Sequence, residues 1–188
     1  MAAETIQKID ANLLKQVAAL IADSVGRNEA IGLLGPLDPA DYESYLDGLL
    51  DRAVNGDAGL VVATEGTAVT GTAQWTRSAY RTRAVFGELD RVVVAPEHRG
   101  RGIGQQLVDA VAADAAKHRI ELLGLEVRGN NHTAIALYER CGFRRTGVWE
   151  NAVAIGAQRY DVVLMARRIG VPFDPGATEE ELACAGSG

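Results

Sequence analysis

Two cysteines, Cys141 and Cys184, are all that the 188 residues contain. A disulfide framework or a Cys-x-x-Cys metal knuckle needs more of them, closer together, so structural thiols in a reducing compartment are the expectation. Apolar runs are short, and none approaches the roughly eighteen consecutive residues that a membrane-spanning helix requires. The opening MAAETIQKID has no basic segment followed by an apolar one, as a secretory leader would. A cytoplasmic location with no membrane partner is therefore expected. Basic residues are outnumbered, 19 Lys and Arg against 25 Asp and Glu, for a net charge of −6. A protein that displaces counterions from nucleic acid needs a basic face, so no nucleic-acid partner is expected either. His98, His118 and His132 have no i, i+4 ligand spacing and no Gly-x-Ser-x-Gly elbow occurs, so neither a metal nor a serine nucleophile is expected.

What is present centres on residues 87–107, GELDRVVVAPEHRGRGIGQQL. The β-branched run Val92, Val93, Val94 stops at Pro96, and a helical pattern begins with Ile103, Leu107 and Val111 on one face. Between them lies a basic, glycine-punctuated loop. Gly100, Gly102 and Gly104 remove side chains where the chain turns, so backbone N–H groups can converge on one oxyanion with a helix dipole behind them. Arg99 and Arg101 add charge in an otherwise acidic chain, and the combination suits a pyrophosphate. A P-loop would close on Gly-Lys-Ser/Thr, and a dinucleotide fingerprint would place Gly or Ala where Leu107 stands; neither fits.

Arg-x-x-Gly-x-Gly directly after a strand, here Arg99, Gly102 and Gly104, resembles the central motif of the GCN5-related N-acetyltransferase (GNAT) family, which binds the pyrophosphate of acetyl-CoA. A second block, LEVRGNNHTAIALYERCGF over 125–143, is similar to a further segment of that family and is nearest in pattern to the enzymes that acetylate ribosomal-protein N-termini. The resemblance implies an α/β fold with a mixed, mostly antiparallel sheet splayed at its central strand and helices on both faces. It also implies roles. Backbone groups of Val92, Val93 and Val94 would pair with the pantetheine arm, and Gly100, Arg101, Gly102, Ile103, Gly104 and Gln105 would cradle the pyrophosphate beside Arg99. Asn131 would hydrogen-bond the cofactor, Tyr138 would serve as general acid, and Glu126 matches the general base of the N-terminal acetyltransferases. These residue types suit the chemistry, because an ammonium must lose a proton before it attacks a thioester and an alkyl thiolate, with a thiol pKa near 8.5, needs a proton or donor as it leaves. A core tyrosine and a salt-bridged strand carboxylate remain the structural alternatives.

Taken in order, Thr5–Ile9 reads as a strand and Asp10 as the cap of a helix ending near Gly26. Asp38 followed by Pro39 starts a second helix with the stripe Tyr42, Leu46, Leu49 and Ala53. The link Asn28–Leu37 between them is apolar, suited either to tucking under the domain or to walling a substrate pocket. Leu60–Thr64 and Ala68–Thr76 form a hairpin. Arg77–Ala84 is a polar loop from which Arg77, Arg81 or Arg83 is placed to meet a substrate carboxylate. Phe143–Val148 and Arg159–Ala166 close the sheet around a connection, Glu150–Gln158, long enough to fold over the acceptor site. Residues 1–170 form one acetyltransferase domain, and 171–188, aperiodic and rich in Pro, Gly, Ala and Glu, a mobile tail. The segment IGLLGPLDPADYESYLDGLL is similar to the tabtoxin-resistance acetyltransferases. With two apolar segments able to cover the site, a small primary amine resembling an amino-acid antibiotic or toxin is the expected acceptor, the protein a monomer or homodimer. A protein N-terminal acetyltransferase and a non-catalytic acyl-CoA-binding module stay open.

Overall fold

The computed structural model describes residues 3–5 and 11–170. The strands are β1 (Ala3–Thr5), β2 (Ala58–Glu65), β3 (Ala68–Arg77), β4 (Phe86–Val94), β5 (Leu122–Arg128), β6 (Arg144–Ile155) and β7 (Gln158–Arg168). The helices are α1 (Ala11–Gly26), α2 (Pro39–Val54), α3 (Ile103–Lys117) and α4 (His132–Arg140). Most of the expected strand Thr5–Ile9, the Asp10 cap and the 171–188 tail lie outside the described residues.

Local chemistry sets the helix ends. Asp38 accepts a hydrogen bond from the Ala40 N–H at 2.9 Å with Pro39 at the first helical position, so α2 starts where the sequence places it. Helix α4 stops at Gly142, whose φ of +83° only glycine adopts cheaply. The N–H groups of Gly142 and Phe143 turn back to the carbonyls of Glu139 and Tyr138 at 3.0 Å each. That ending fixes the backbone of Tyr138.

One sheet runs in the order β1-β2-β3-β4-β5-β7-β6. Every neighbouring pair is antiparallel except β4 and β5, which are parallel and joined through α3. Two cores flank it. On one face α3 and α4 pack over Ala73, Trp75, Leu89, Leu123, Leu125, Val163 and Met165. On the other, α1 and α2 cover Leu60, Val62 and Val93. Trp75 closes the first core, its indole N–H donating to the buried Asp114 carboxylate at 2.8 Å, which satisfies two polar groups that would otherwise cost about 1–3 kcal/mol each.

The site depends on where β4 and β5 part. Their ladder consists of Phe86–Leu122, Gly87–Leu123 and Glu88–Gly124, and then ends. Strand β4 meanwhile continues along β3 through a bulge, because the register moves from Gln74–Asp90 to Thr72–Val93 and so carries one extra residue. Arg91 sits in that bulge at φ +53°. The extra residue turns strand alternation over: Leu89 faces the α3 core, whereas Val93 faces the α1/α2 core and Val92 and Val94 take the α3 side.

The closing hairpin differs from expectation. Glu150–Ile155 is strand rather than a covering connection, and the turn is only Gly156–Ala157. Polar Glu150 and Asn151 look like a loop in sequence, but they occupy a wide bulge in which Trp149 pairs with Val162 and Val153 with Tyr160. The Asn151 N–H donates to the Asp161 carboxylate at 2.9 Å and holds it there.

Candidate active site

The loop after β4 matches its expected form. Gly100 and Gly102 have φ values of +74° and +78°. Gly102 is the N-cap of α3 and brings no side-chain acceptor, and the first ladder bond of the helix runs from Gln106 N–H to Gly102 O at 3.1 Å. The N–H groups of Ile103, Gly104 and Gln105 consequently have no partner inside the helix and point out of its positive end. Gly104 has a different role: a Cβ there would lie 3.1 Å from Leu137 Cδ2, so its bareness lets α3 approach α4. Arg101 reaches the Glu97 carbonyl at 3.3 Å and stays half exposed.

Strand β4 supplies the next element. Ala95 N–H donates to Thr70 O at 2.9 Å, and Val93 is in register with Thr72, so alternation directs the backbone groups of Val92 and Val94 away from β3 into the gap. Val92 N–H and C=O and the Val94 N–H are the groups there that an extended amide chain can pair with, while Val94 O accepts from Arg99 Nε at 2.9 Å. Val93 does not belong with them, since its backbone belongs to the β3 ladder and its side chain is buried under α1 and α2. Asn131 caps α4, its side-chain oxygen accepting from Ala134 N–H at 3.2 Å; its amide N–H groups are the part left for a ligand. Glycine-freed helix amides and unpaired strand groups together fit a pyrophosphate joined to a pantetheine arm.

Glu126 and Tyr138 are the residues expected as base and acid. Glu126 follows Gly124 by two residues on β5 and therefore shares its face, opposite Leu125 and Val127, which are buried in the α3/α4 core. Burial, and then the charge of Asp90, push the Glu126 carboxyl above the ordinary carboxylate range. Tyr138 lies on the α4 side against Phe143, ring centroids 5.9 Å apart. Burial, followed by the charges of Asp90 and Cys141, drives its phenol well above the usual tyrosine value, so it holds its proton at neutral pH. Glu88, half-buried on β4, is also raised, first by burial and then by Asp90 and Glu126. Among the described residues no three His, Cys, Asp or Glu side chains converge as metal ligands.

A computed family profile described as "Acetyltransferase (GNAT) family" matches residues 29–143, which include the loop, the fork, Glu126 and Tyr138. The chain belongs to that family. The [ribosomal protein bS18]-alanine N-acetyltransferase of Escherichia coli K12 is 33% identical over 92 residues, 48% of this chain and 62% of the relative. This chain therefore aligns with less than two thirds of such curated relatives. A Salmonella typhimurium acetyltransferase solved with acetyl-CoA superposes with a TM-score of 0.80 at 18% identity, covering 95% of this chain and 99% of the other. A Sinorhizobium meliloti phosphinothricin acetyltransferase, also solved with acetyl-CoA, gives 0.77 at 21% identity over 96% and 97%. At those identities the likeness is one of fold, and the GNAT fold expected from the sequence is the fold found.

Several residues near the fork carry no sequence motif. Arg91 donates to Ile31 O at 2.9 Å and holds the α1–α2 link over the end of β4. Glu29 on that link accepts from Arg99 at 2.7 Å and from Arg27 at 2.9 Å, while Arg99 Nε also donates to Val94 O at 2.9 Å. Of the two readings of the link, the structure shows the tucked one: Ile31, Leu33 and Leu37 pack against the α1/α2 core, while Leu34 stays exposed. Gln74 meets Tyr45 on the same face. Arg77 is a correction, because its guanidinium is consumed by Asp57 at 2.8 Å, Gly56 O at 3.0 Å, His118 O at 2.6 Å and Ala84 O. It braces the start of β4 and has nothing left for a substrate. Arg83 stacks on the Phe86 ring at 4.9 Å, and its charge bears on Glu88.

Proposed function

We propose that this protein transfers the acetyl group of acetyl-CoA to the primary amine of a small molecule, and that the amine enters the fork between β4 and β5. The observation that carries this reading is the juxtaposition at the fork: backbone N–H groups of Val92 and Val94 turned away from β3, Glu126 on one side and Tyr138 on the other. Acetyl-CoA supplies an activated thioester. The backbone N–H groups facing the gap orient and polarise its carbonyl. Glu126, directly or through a water, takes a proton from the ammonium so that the nitrogen lone pair can form the new C–N bond. As the C–S bond breaks, the Tyr138 hydroxyl donates its proton to the departing sulfur, and the second proton that the nitrogen sheds on becoming an amide restores the phenol. The raised Glu126 carboxyl is a stronger base than an ordinary glutamate, and the raised Tyr138 phenol does not lose its proton prematurely.

A small acceptor bearing a carboxylate finds cations along the same region. Arg83 stands beside Phe86 and Glu88, and Arg128 stacks on Tyr160 at 5.0 Å. A peptide N-terminus is the second reading, favoured by one observation. The β6–β7 hairpin lies in the sheet and does not fold over the site, and Trp149 and Val148 remain 51% and 52% exposed. Thiol release measured against amino-acid-like amines and against short peptides separates the two. Turnover of the small amines is expected; efficient turnover of peptides longer than a few residues, with none of the small amines, replaces the first reading with the second.

A further inference from the structure

Asp90 stands where the β4–β5 fork opens. It is two residues past Glu88, where the β4–β5 ladder stops, and immediately before the left-handed Arg91. On β5 the equivalent step past Gly124 is Glu126. Had the ladder continued one more pair on this face, Asp90 and Glu126 would be neighbours; the strands part there, and the two carboxylates stand on opposite lips of the opening. The groups around Asp90 come from four elements. On β4 they are Glu88 and Arg91, whose Nη1 is 3.6 Å from Asp90 Oδ1. The Asp90 charge bears on Glu126 of β5, Tyr42 of α2 and Tyr138 of α4. Its partner across β3 is the neutral Gln74, and Arg83 bears on Glu88 from the turn before β4.

We propose that Asp90 is a positioning residue for acetyl transfer, acting through Glu126 on the opposite lip of the fork. The inference rests on the proton role proposed above for Glu126. For Glu88, Glu126 and Tyr138 alike, burial is the larger cause of a raised proton affinity and the Asp90 charge is the next. A fixed anion at the mouth makes the base bind its proton more strongly. Its field also favours an ammonium in the gap. Arg91, tethered to Ile31 O, keeps the Asp90 carboxylate on this lip and balances part of its charge. Proton handling is thereby set by a residue that need not touch the reacting atoms.

The test is the pH dependence of kcat for the wild type, Asp90→Asn, Asp90→Glu and Glu126→Gln, with folding checked by circular dichroism and acetyl-CoA affinity by calorimetry. In Asp90→Asn the acidic limb is expected to move to lower pH and the plateau to fall roughly tenfold, with acetyl-CoA affinity unchanged. Asp90→Glu is expected to return the limb to its wild-type position. In the wild type itself, whose folding is not in question, added salt should move the limb the same way as the neutral variant, because Glu126 is exposed enough for screening to act. A limb that stays put in folded Asp90→Asn and ignores salt, yet disappears in Glu126→Gln, overturns the role of Asp90 while leaving Glu126 as the base. A limb that survives in Glu126→Gln overturns the underlying proton assignment.

Discussion

Tyr138 is held by its backbone before its side chain does anything. Its carbonyl accepts the Phe143 N–H at the end of α4, and its ring rests on the Phe143 ring, so the phenol can be lost without loosening the helix. Tyr138→Phe should therefore lower kcat by roughly ten- to ten-thousandfold with acetyl-CoA affinity nearly unchanged, as steady-state kinetics and calorimetry would show. Glu88 makes the opposite kind of prediction. Its folded carboxyl is raised above the unfolded value, by burial first and by Asp90 next. The charged form thus costs stability at neutral pH, a cost relieved as pH falls through the raised value and gone below the unfolded one. Glu88→Gln should raise the thermal midpoint at pH 7 and leave it nearly unchanged near pH 4. Tyr138 and Glu126 could be named from sequence because the block 125–143 resembles a family segment, and their roles are what that resemblance implies. Glu88, Asp90 and Arg91 could not, because an apolar strand reads as continuous and the bulge that puts Asp90 and Arg91 at the fork leaves no mark in periodicity.

At the scale of elements, the glycine loop proposed to bind the cofactor and the α1–α2 link are tied together. Arg99 and Arg27 share Glu29. Burial alone would raise the Glu29 carboxyl, but its two hydrogen-bonded arginines outweigh that and hold it below the ordinary range. The contribution is therefore full above the unfolded value and lost as pH falls through the lowered one. Glu29→Gln should free Arg99, tighten acetyl-CoA binding severalfold in calorimetry because a competing carboxylate is gone, and loosen the link. Weaker or unchanged binding would mean that Arg99 stays with the link when the cofactor is bound. Gly102→Val has no steric neighbour to displace, since nothing lies within 4 Å of a Cβ there. Its cost is the left-handed backbone, about 1–3 kcal/mol, which the loop relieves by turning its amides away. Loss of acetyl-CoA binding in a folded protein is expected, and calorimetric titration decides it. Helix caps and glycine turns such as Asp38 and Gly142 could be read from sequence because their chemistry is local; the extent of β6 could not, because it is set by Asp161 across the hairpin.

For the whole molecule, the sheet is two half-sheets, β1–β4 and β5–β7, that share a three-pair ladder and the helix α3. An open seam of that kind makes the interior of a sheet behave as an edge along part of one strand. The order of elements announced this fold, since a strand, loop, helix and strand require a parallel neighbour. The length of the seam was hidden, because it depends on where a single extra residue enters β4. Isotope exchange gives the seam a signature: in the absence of ligand, amide hydrogens along β4 should exchange in alternation, slowly at Val93 and Ala95, which face β3, and rapidly at Val92 and Val94, which face the gap. Saturating acetyl-CoA should slow the rapid pair and leave the slow pair untouched, a change visible residue by residue in proton–nitrogen spectra. Uniform protection along the strand would mean that the seam closes on itself in solution, and the protein would then need an opening step before it could accept its cosubstrate.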